Sequence, residues 1–191
     1  MTAPCRCEIH EAHAAAFRFA GLVYYFGGVY VLLRPAPVFL MSTEQPKTIY
    51  SYDALQVGDT YSTTRFISEA DVRAFAEVTG DDNPIHIDEE YARHSRFGHR
   101  VVHGVLLLGI ISKVLGRDFP GHGSIAVSLS CRFLRPVPVN SDITVEFKVT
   151  EKLDKYKHVK GRTYVYYNNK MVLAGEAIMI PPAGGDDPAA G

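Results

Sequence analysis

A carboxylate and an imidazole stand five residues apart in the segment Gly80-Asp81-Asp82-Asn83-Pro84-Ile85-His86. Asp81 and His86 are residue types that general acid-base catalysis uses, because a histidine titrates near neutral pH and a carboxylate can share a proton or a water molecule with it. The composition of the segment is equally typical of a plain turn, and an isolated histidine is often a structural residue. The pair becomes a candidate site only in combination with a second feature.

That second feature is the segment Val101-Val102-His103-Gly104, which directly precedes an apolar run. If the apolar run is a helix, Gly104 lies at its beginning, where unpaired N–H groups and the helix dipole favour negative charge. A glycine there also lets a bound group approach the backbone closely. His103 could simply cap this helix. An acid-base pair beside a helix N-terminus suits proton transfer next to a carbonyl group.

The acid-base pair is predicted to lie on a turn between helical segments. Ser68-Glu69-Ala70-Asp71 has the form of a capping box, which predicts a helix directly after its first residue. Apolar residues follow at helical spacing, and Gly80 occupies the position of a glycine C-cap. After the turn over residues 81–86, Asp88 is expected to cap a short helix that runs to Arg93.

The apolar run from Val105 to Gly116 predicts a longer helix. Because the run is apolar on nearly every side, we expect protein to surround this helix. It is the natural centre of the fold.

The remainder of the chain shows the period of two that is typical of strands. The alternating apolar positions are Ile125, Val127, Leu129, Cys131 and Phe133 in one segment and Ile143, Val145, Phe147 and Val149 in the next. Thr60–Ile67 is a further candidate strand, and residues 159–167 and 171–180 form a predicted hairpin across Asn168-Asn169. The order of elements predicts an α+β fold in which an antiparallel sheet wraps around one apolar helix.

Composition and charge limit the classes of function. The 191 residues are 47% hydrophobic and 21% charged, which suits one domain of ordinary size with a real core. The formal net charge of −1 argues against nucleic acid as the main partner, because phosphate binding favours a basic domain. Three cysteines give no disulfide framework. The Cys5-Arg6-Cys7 segment has no matching Cys/His pair at zinc-site spacing, so no metal site is predicted.

The N-terminal part of the chain differs from the rest. Residues 19–33 form an uncharged run with three glycines that is shorter than the ~20 residues of a membrane helix, so no membrane span is expected. The run could be an organelle-targeting segment, although nearby acidic residues count against that, or Met41 could be the true start. We divide the chain into an extension over residues 1–47, a folded domain over residues 48–181 and a disordered tail over residues 182–191.

Several segments, in this order, carry a resemblance to a known family. They are Phe75-Ala76-Glu77-Val78-Thr79-Gly80-Asp81-Asp82-Asn83-Pro84-Ile85-His86, Val101-Val102-His103-Gly104-Val105-Leu106-Leu107, Pro120-Gly121-His122-Gly123-Ser124-Ile125, Phe133-Leu134-Arg135-Pro136-Val137 and Ala174-Gly175-Glu176-Ala177. In these segments the chain resembles the MaoC-like hydratases and dehydratases. The resemblance implies a hot-dog fold. It also implies a lyase that interconverts (R)-3-hydroxyacyl and trans-2-enoyl thioesters in fatty-acid metabolism, with no cofactor.

The resemblance also implies the roles of individual residues. Asp81 and His86 would be the catalytic pair. The other implied site residues are Gly104 as the backbone N–H donor to the thioester carbonyl, Ser112 and His103 as residues that line the site, and Asn83 as the residue that holds the turn. Adding water to a conjugated thioester needs a base, an acid and stabilisation of an enolate-like oxygen, which this set could supply. His99-Arg100 departs from the family, because relatives commonly have a proline at the second position.

Two other functions are compatible with the same fold. One is a hot-dog thioesterase, which would use its carboxylate to drive hydrolysis. The other is a non-catalytic subunit that binds acyl thioesters. The pair within Asp-Asn-Pro-Ile-His favours the hydratase, and the presence of both residues argues against a non-catalytic subunit.

The implied partners are a thioester of coenzyme A or acyl carrier protein and a second copy of the chain in a homodimer. An acidic carrier protein would dock on basic residues near the site. The candidates are Arg96 and Arg100, together with residues 152–162, which we expect to form a solvated edge hairpin. The mitochondrial members of the family imply a mitochondrial location, and a cytoplasmic or peroxisomal location is the alternative.

Overall fold

The computed structural model describes residues 49–183 together with two short strands at residues 23–26 and 29–32. Strands β1 (Val23–Phe26) and β2 (Val29–Leu32) pair antiparallel. The described part of the uncharged run is therefore extended backbone. Among the residues that the structure describes, no helix is long and apolar enough to cross a membrane.

The chain divides into two compact units, Met1–Glu44 and Gln45–Gly191. Cys5-Arg6-Cys7, the alternative start at Met41 and most of the predicted disordered tail lie outside the described residues. Every candidate site residue belongs to the second unit.

The second unit is built on a five-stranded sheet. Its strands are β3 (Thr60–Ile67), β4 (Ile125–Phe133), β5 (Ser141–Leu153), β6 (His158–Tyr167) and β7 (Lys170–Ile180). The order across the sheet is β3-β5-β6-β7-β4, and every neighbouring pair is antiparallel. This order places β3 and β4 at the two edges. The predicted α+β architecture with an antiparallel sheet is observed.

Helix α1 (Glu69–Thr79) has the ends that the sequence predicts. The Ser68 side chain accepts a hydrogen bond from the Asp71 N–H, and the Asp71 side chain accepts one from the Ser68 N–H, which completes the capping box. The helix ends at Gly80, whose φ of 75° lies in the left-handed region that favours glycine.

The segment after Gly80 is more regular than the predicted turn. Residues Pro84–Ile87 form a short helix, α2, so His86 lies on a helix. Asn83 caps α2 by accepting a hydrogen bond from the Ile85 N–H, and proline suits a first helical position. Helix α3 (Glu89–Arg93) follows, and its predicted cap, Asp88, accepts a hydrogen bond from the Tyr91 N–H.

The apolar run forms helix α4 (Gly104–Lys113), which continues as a π-helical turn over Val114–Asp118. Its inner side packs against the sheet. The buried residues that join it to β5 in one cluster are Leu107, Ile110, Ile111, Ile143, Val145, Phe147 and Val149. The alternation in β5 therefore predicts its buried face correctly.

The prediction that protein surrounds α4 is wrong for the single chain. Val105 is 58% exposed, and Gly109 and Ser112 are also exposed. With about 3.6 residues per turn, these positions share one side of the helix with half-buried Gly104 and Leu108. We call this surface the open side of α4.

Strand β4 is exposed along most of its length. Ile125, Val127 and Phe133 are between 51% and 61% exposed, although their spacing predicts one buried face. One edge of β4 pairs with β7, and the other edge has no strand beside it among the described residues. We call this apolar border the β4 edge.

The segment 152–162 is not the edge hairpin that its lysines suggest, because β5 and β6 are interior strands. Lys152 Nζ donates hydrogen bonds to the carbonyl oxygens of Tyr52 at 2.8 Å and Leu55 at 2.7 Å. It therefore anchors the chain before β3. The predicted hairpin between β6 and β7 is observed, and Asn168 and Asn169 have φ of 48° and 58°.

Candidate active site

The candidate site lies where the end of α1, the short helix α2 and the segment before α4 meet. The left-handed Gly80 turns the chain out of α1, which brings Asp81 to the surface with its side chain 51% exposed. Asn83 then begins α2, so the predicted role of Asn83 in holding this segment agrees with its contacts. The arrangement sets His86 opposite Val101 and His103.

The hydrogen bond of His86 fixes its tautomer. Nδ1 of His86 lies 2.7 Å from the carbonyl oxygen of Val101. A carbonyl oxygen can only accept, so Nδ1 carries the proton and Nε2 is left as the basic nitrogen. Burial lowers the pKa of His86, and His103 lowers it further, whereas the Val101 carbonyl and Asp81 act in the opposite direction. The lowered pKa favours the neutral ring, in which the lone pair of Nε2 is free to accept a proton.

His103 is the most buried member of the site, at 1% exposure. It occupies the N-cap position of α4, as the sequence suggested, but its side chain makes no capping hydrogen bond. Its Nε2 lies 3.0 Å from the carbonyl oxygen of Asp81 and 4.0 Å from the Asp81 carboxylate. Its ring packs against the His86 ring with centroids 3.8 Å apart and planes tilted by 31°, and the Phe75 centroid lies 4.9 Å from the His103 centroid.

The side chains of Asp81, His86 and His103 offer polar atoms that all lie within 4.8 Å of one another. One water molecule with hydrogen bonds of about 2.8 Å can bridge two atoms at that spacing. A metal ion would need lone pairs that converge on one point at about 2.0–2.2 Å. The close packing of the two rings and the engaged Nε2 of His103 do not favour that geometry, so we interpret the cluster as a site for proton transfer.

Gly104 is the first residue of α4, and its surroundings explain the residue type. A Cβ at this position would stand 2.9 Å from Cε1 of Phe133, because the Phe133 ring lies over the backbone. Ser112 lies on the open side of α4, about 12 Å further along the helix axis. Gly104 therefore lies directly beside His103, whereas Ser112 lies further along the same helix.

The two arginines that we predicted as a docking surface differ in their contacts. Arg100 is only 12% exposed and forms ion pairs with Glu69 at 3.1 Å and Glu89 at 2.8 Å. The hydrogen bond from Arg100 is the main reason that the pKa of Glu69 falls to about 2. Arg100 thus joins α1 to α3, and its contacts do not support a docking role. Arg96 is exposed, with its guanidinium 4.8 Å from the Phe97 ring centroid.

Two contributors to the site were missed from the sequence. The Val101 carbonyl is a backbone group, so its residue type carries no signal. Phe133 lies in a segment that resembles the family, but its place over Gly104 depends on the fold. Together the site offers a carboxylate, a basic imidazole nitrogen and the N–H groups at the beginning of a ten-residue helix.

Comparisons with known proteins identify the family of the chain. A model of the MaoC-like domain matches residues 53–171. The (R)-specific enoyl-CoA hydratase of Rhodospirillum rubrum is 36% identical over 137 residues, which cover 72% of this chain and 95% of that protein. The mitochondrial 3-hydroxyacyl-[acyl-carrier-protein] dehydratase of Arabidopsis thaliana is 36% identical over 140 residues, which cover 71% and 82%.

Solved structures give the same result for the fold. An R-hydratase from Pseudomonas aeruginosa superimposes with a TM-score of 0.69 at 37% identity, over 72% of this chain and 89% of that chain. The (R)-hydratase from Aeromonas caviae follows with a TM-score of 0.66 at 32% identity, over 68% and 98%. The predicted hot-dog fold is confirmed.

Proposed function

The chain belongs to the MaoC-like domain family, and we propose that it is a lyase that interconverts (R)-3-hydroxyacyl and trans-2-enoyl thioesters in fatty-acid metabolism. The observation that carries this proposal is the fixed tautomer of His86. Its Nδ1–H is held by the Val101 carbonyl, which leaves Nε2 as the basic nitrogen of a ring that lies in one cluster with the Asp81 carboxylate.

The reaction needs one water molecule between Asp81 and His86. In the hydration direction, the pair accepts a proton from water while the water oxygen bonds to Cβ of the enoyl thioester. The pair then returns a proton to Cα, and dehydration is the reverse. Acid-base catalysis of this kind typically contributes about 10²–10⁴ in rate.

Negative charge develops on the thioester oxygen as water adds. The N–H of Gly104, at the beginning of α4, is the proposed donor to this oxygen. Loss of one such donor typically costs about 10²–10³ in kcat. Ser112, on the open side of α4, is proposed to line the site.

The test follows products rather than substrate loss alone. Crotonyl-CoA incubated with the purified protein should give (R)-3-hydroxybutyryl-CoA, identified by chiral chromatography, with no release of free thiol. Rapid thiol release without hydroxyacyl product would instead identify a thioesterase. Binding of crotonyl-CoA without either product would identify a non-catalytic subunit.

The active form is proposed to be a homodimer. The support is the apolar surface that the single chain leaves uncovered, namely the open side of α4 and the β4 edge. An exposed apolar edge strand normally needs a cover, and a second copy of the same edge is a suitable one. Gly104 lies on the open side of α4, so the site would lie close to the interface.

The carrier of the acyl group is proposed to be coenzyme A or acyl carrier protein, which present the same phosphopantetheine arm. Arg96 remains a candidate for contact with an acidic carrier protein, because it is exposed and lies close in sequence to the site. Lower kcat/KM of Arg96→Ala with the carrier-protein substrate, but not with the coenzyme A substrate, would support this contact. Equal values for both substrates would exclude it.

A mitochondrial location is proposed from the likeness to the mitochondrial dehydratase of Arabidopsis thaliana. The similar protein of Rhodospirillum rubrum is bacterial, so similarity of the domain does not by itself specify a compartment. A fluorescent protein fused behind residues 1–47 should reach mitochondria in plant cells. A diffuse signal would contradict the proposal.

A further inference from the structure

His103 contacts both members of the catalytic pair, although it is nearly inaccessible to substrate. Its Nε2 lies 3.0 Å from the Asp81 carbonyl oxygen, and its ring lies 3.8 Å from the His86 ring. At 1% exposure, it has no surface from which to contact a thioester. Its contribution must therefore act through the residues around it.

The segment Val101-Val102-His103 holds the Asp81–His86 region at three points. The Val101 N–H donates to the Ile85 carbonyl oxygen at 3.2 Å, and the Val101 carbonyl oxygen accepts from His86 Nδ1 at 2.7 Å. His103 provides the third point, at the Asp81 carbonyl oxygen. Of these three bonds, only the one from His103 reaches Asp81.

The hydrogen bonds give the two histidines opposite tautomers. His86 carries its proton on Nδ1, and His103 carries its proton on Nε2 because the Asp81 carbonyl can only accept. Nδ1 of His103 is then a buried acceptor without a hydrogen-bond partner in the structure. A buried polar atom without a partner costs stability, so a residue with only a packing role would be better apolar. The donor function of Nε2 is the reason for a histidine here.

We infer that His103 is a positioning residue for the proposed hydration reaction. Its Nε2–H holds the Asp81 backbone, and its ring supports the plane of His86. Together these contacts keep the Asp81 carboxylate and His86 Nε2 within reach of one water molecule. This inference rests on the proposed function and assigns His103 a role through its neighbours.

Two substitutions separate the hydrogen bond of His103 from its ring contact with His86. His103→Gln keeps a donor near the position of Nε2 but loses the ring, whereas His103→Phe keeps a ring but loses the donor. We expect His103→Phe to lose about 10²-fold in kcat with little change in KM, because a displacement of about 1 Å is enough for such a loss. We expect His103→Gln to retain more activity than His103→Phe.

The pH profile separates positioning from a general structural defect. The titratable groups that act on His86 are His103 and Asp81, while Phe75 is uncharged and Val101 offers its carbonyl. Burial is the main cause of the lowered pKa of His86, and His103 lowers it further because positive charge on two rings with centroids 3.8 Å apart is unfavourable. Without His103, His86 protonates at higher pH, so the acid limb of kcat/KM should move to higher pH in both variants.

A measurement on the unmodified protein completes the test. Nitrogen-15 spectra of the histidine side chains should show the Nδ1–H tautomer for His86 and the Nε2–H tautomer for His103. His94→Gln, at an exposed histidine, is the matched control and should keep wild-type kinetics. An Nε2–H tautomer of His86 or an Nδ1–H tautomer of His103 would overturn the inference, as would a folded His103→Phe variant with wild-type kcat and acid limb. An inactive wild-type protein with the expected tautomers would instead overturn the proposed function.

Discussion

A methyl group added to Gly104 would collide with the ring of Phe133. The added Cβ would stand 2.9 Å from Cε1 and 3.0 Å from Cδ1 of that ring. We predict that Gly104→Ala lowers kcat for hydration by about 10²-fold, because the methyl group separates the Gly104 N–H from the thioester oxygen. Steady-state kinetics with crotonyl-CoA measure this effect.

Two further variants identify the cause of the loss. Gly116→Ala adds a methyl group that meets no atom within 4 Å, so it should keep wild-type kinetics. Gly104→Ala combined with Phe133→Leu relieves the collision but keeps the methyl group beside the N–H. Recovery of full activity in the double variant would contradict the role of the Gly104 N–H as the donor.

At the scale of single residues, the sequence shows which side chains are close along the chain but not which atoms they contact in the fold. Asp81, Asn83 and His86 are close together in the sequence, and the fold brings this segment to His103. The tautomer of His86 was not predictable, because its acceptor is the backbone oxygen of Val101, fifteen residues away. Backbone groups have no residue type to recognise.

At the scale of the helices, one arginine joins two elements near the site. Arg100 contacts Glu69 on α1 and Glu89 on α3. The pKa of Glu69 is lowered from 4.5 to about 2, mainly by the hydrogen bond from Arg100. A carboxyl group whose pKa is lower in the folded than in the unfolded state stabilises the fold at pH values above its unfolded pKa. This stabilisation is lost as the pH falls towards its folded pKa.

We predict that Glu69→Gln lowers the melting temperature at pH 7, and that its difference from the wild type shrinks as the pH falls from about 4.5 towards 2. Thermal unfolding followed by circular dichroism across this range measures the difference. Glu77→Gln, at an exposed position on the same helix, should have little effect at any pH. A Glu69→Gln difference that stays constant with pH would show that the ion pair contributes nothing.

The ends of helices and hairpins can be predicted where the local residue types favour a cap or a turn. The capping box at Ser68 and the paired asparagines at Asn168-Asn169 fix helix and hairpin ends within a few residues. The short helix α2 was missed because a proline and an asparagine also suit a turn. The open side of α4 was missed because an apolar pattern predicts burial without saying which chain provides the cover.

At the scale of the whole molecule, the β4 edge provides a test of assembly. Val127 is 51% exposed on this edge, and a charge there would be buried if two copies meet. We predict that the wild type is a dimer by light scattering and that Val127→Glu is a monomer with reduced activity. Val78→Glu, at an 81% exposed position on α1, should remain an active dimer. A fully active wild-type monomer at the assay concentration would contradict the proposal.

The sequence predicts the architecture of the second unit well, because strand alternation and one apolar helix leave few other ways to form a core. It does not predict which strands lie at the edges. Residues 152–162 resemble an edge by their lysines, yet Lys152 is held by two carbonyl oxygens inside the fold. Position in a sheet depends on long-range pairing, which composition does not record.

The most direct test of the account is the rate of crotonyl-thioester hydration by Asp81→Asn and His86→Ala. Asp82→Asn and His94→Ala are matched controls at exposed positions nearby. We predict that each catalytic variant loses at least about 10² in kcat while it keeps the wild-type melting temperature, and that both controls remain active. A folded Asp81→Asn or His86→Ala variant with more than about a tenth of the wild-type kcat would contradict the assignment of the pair.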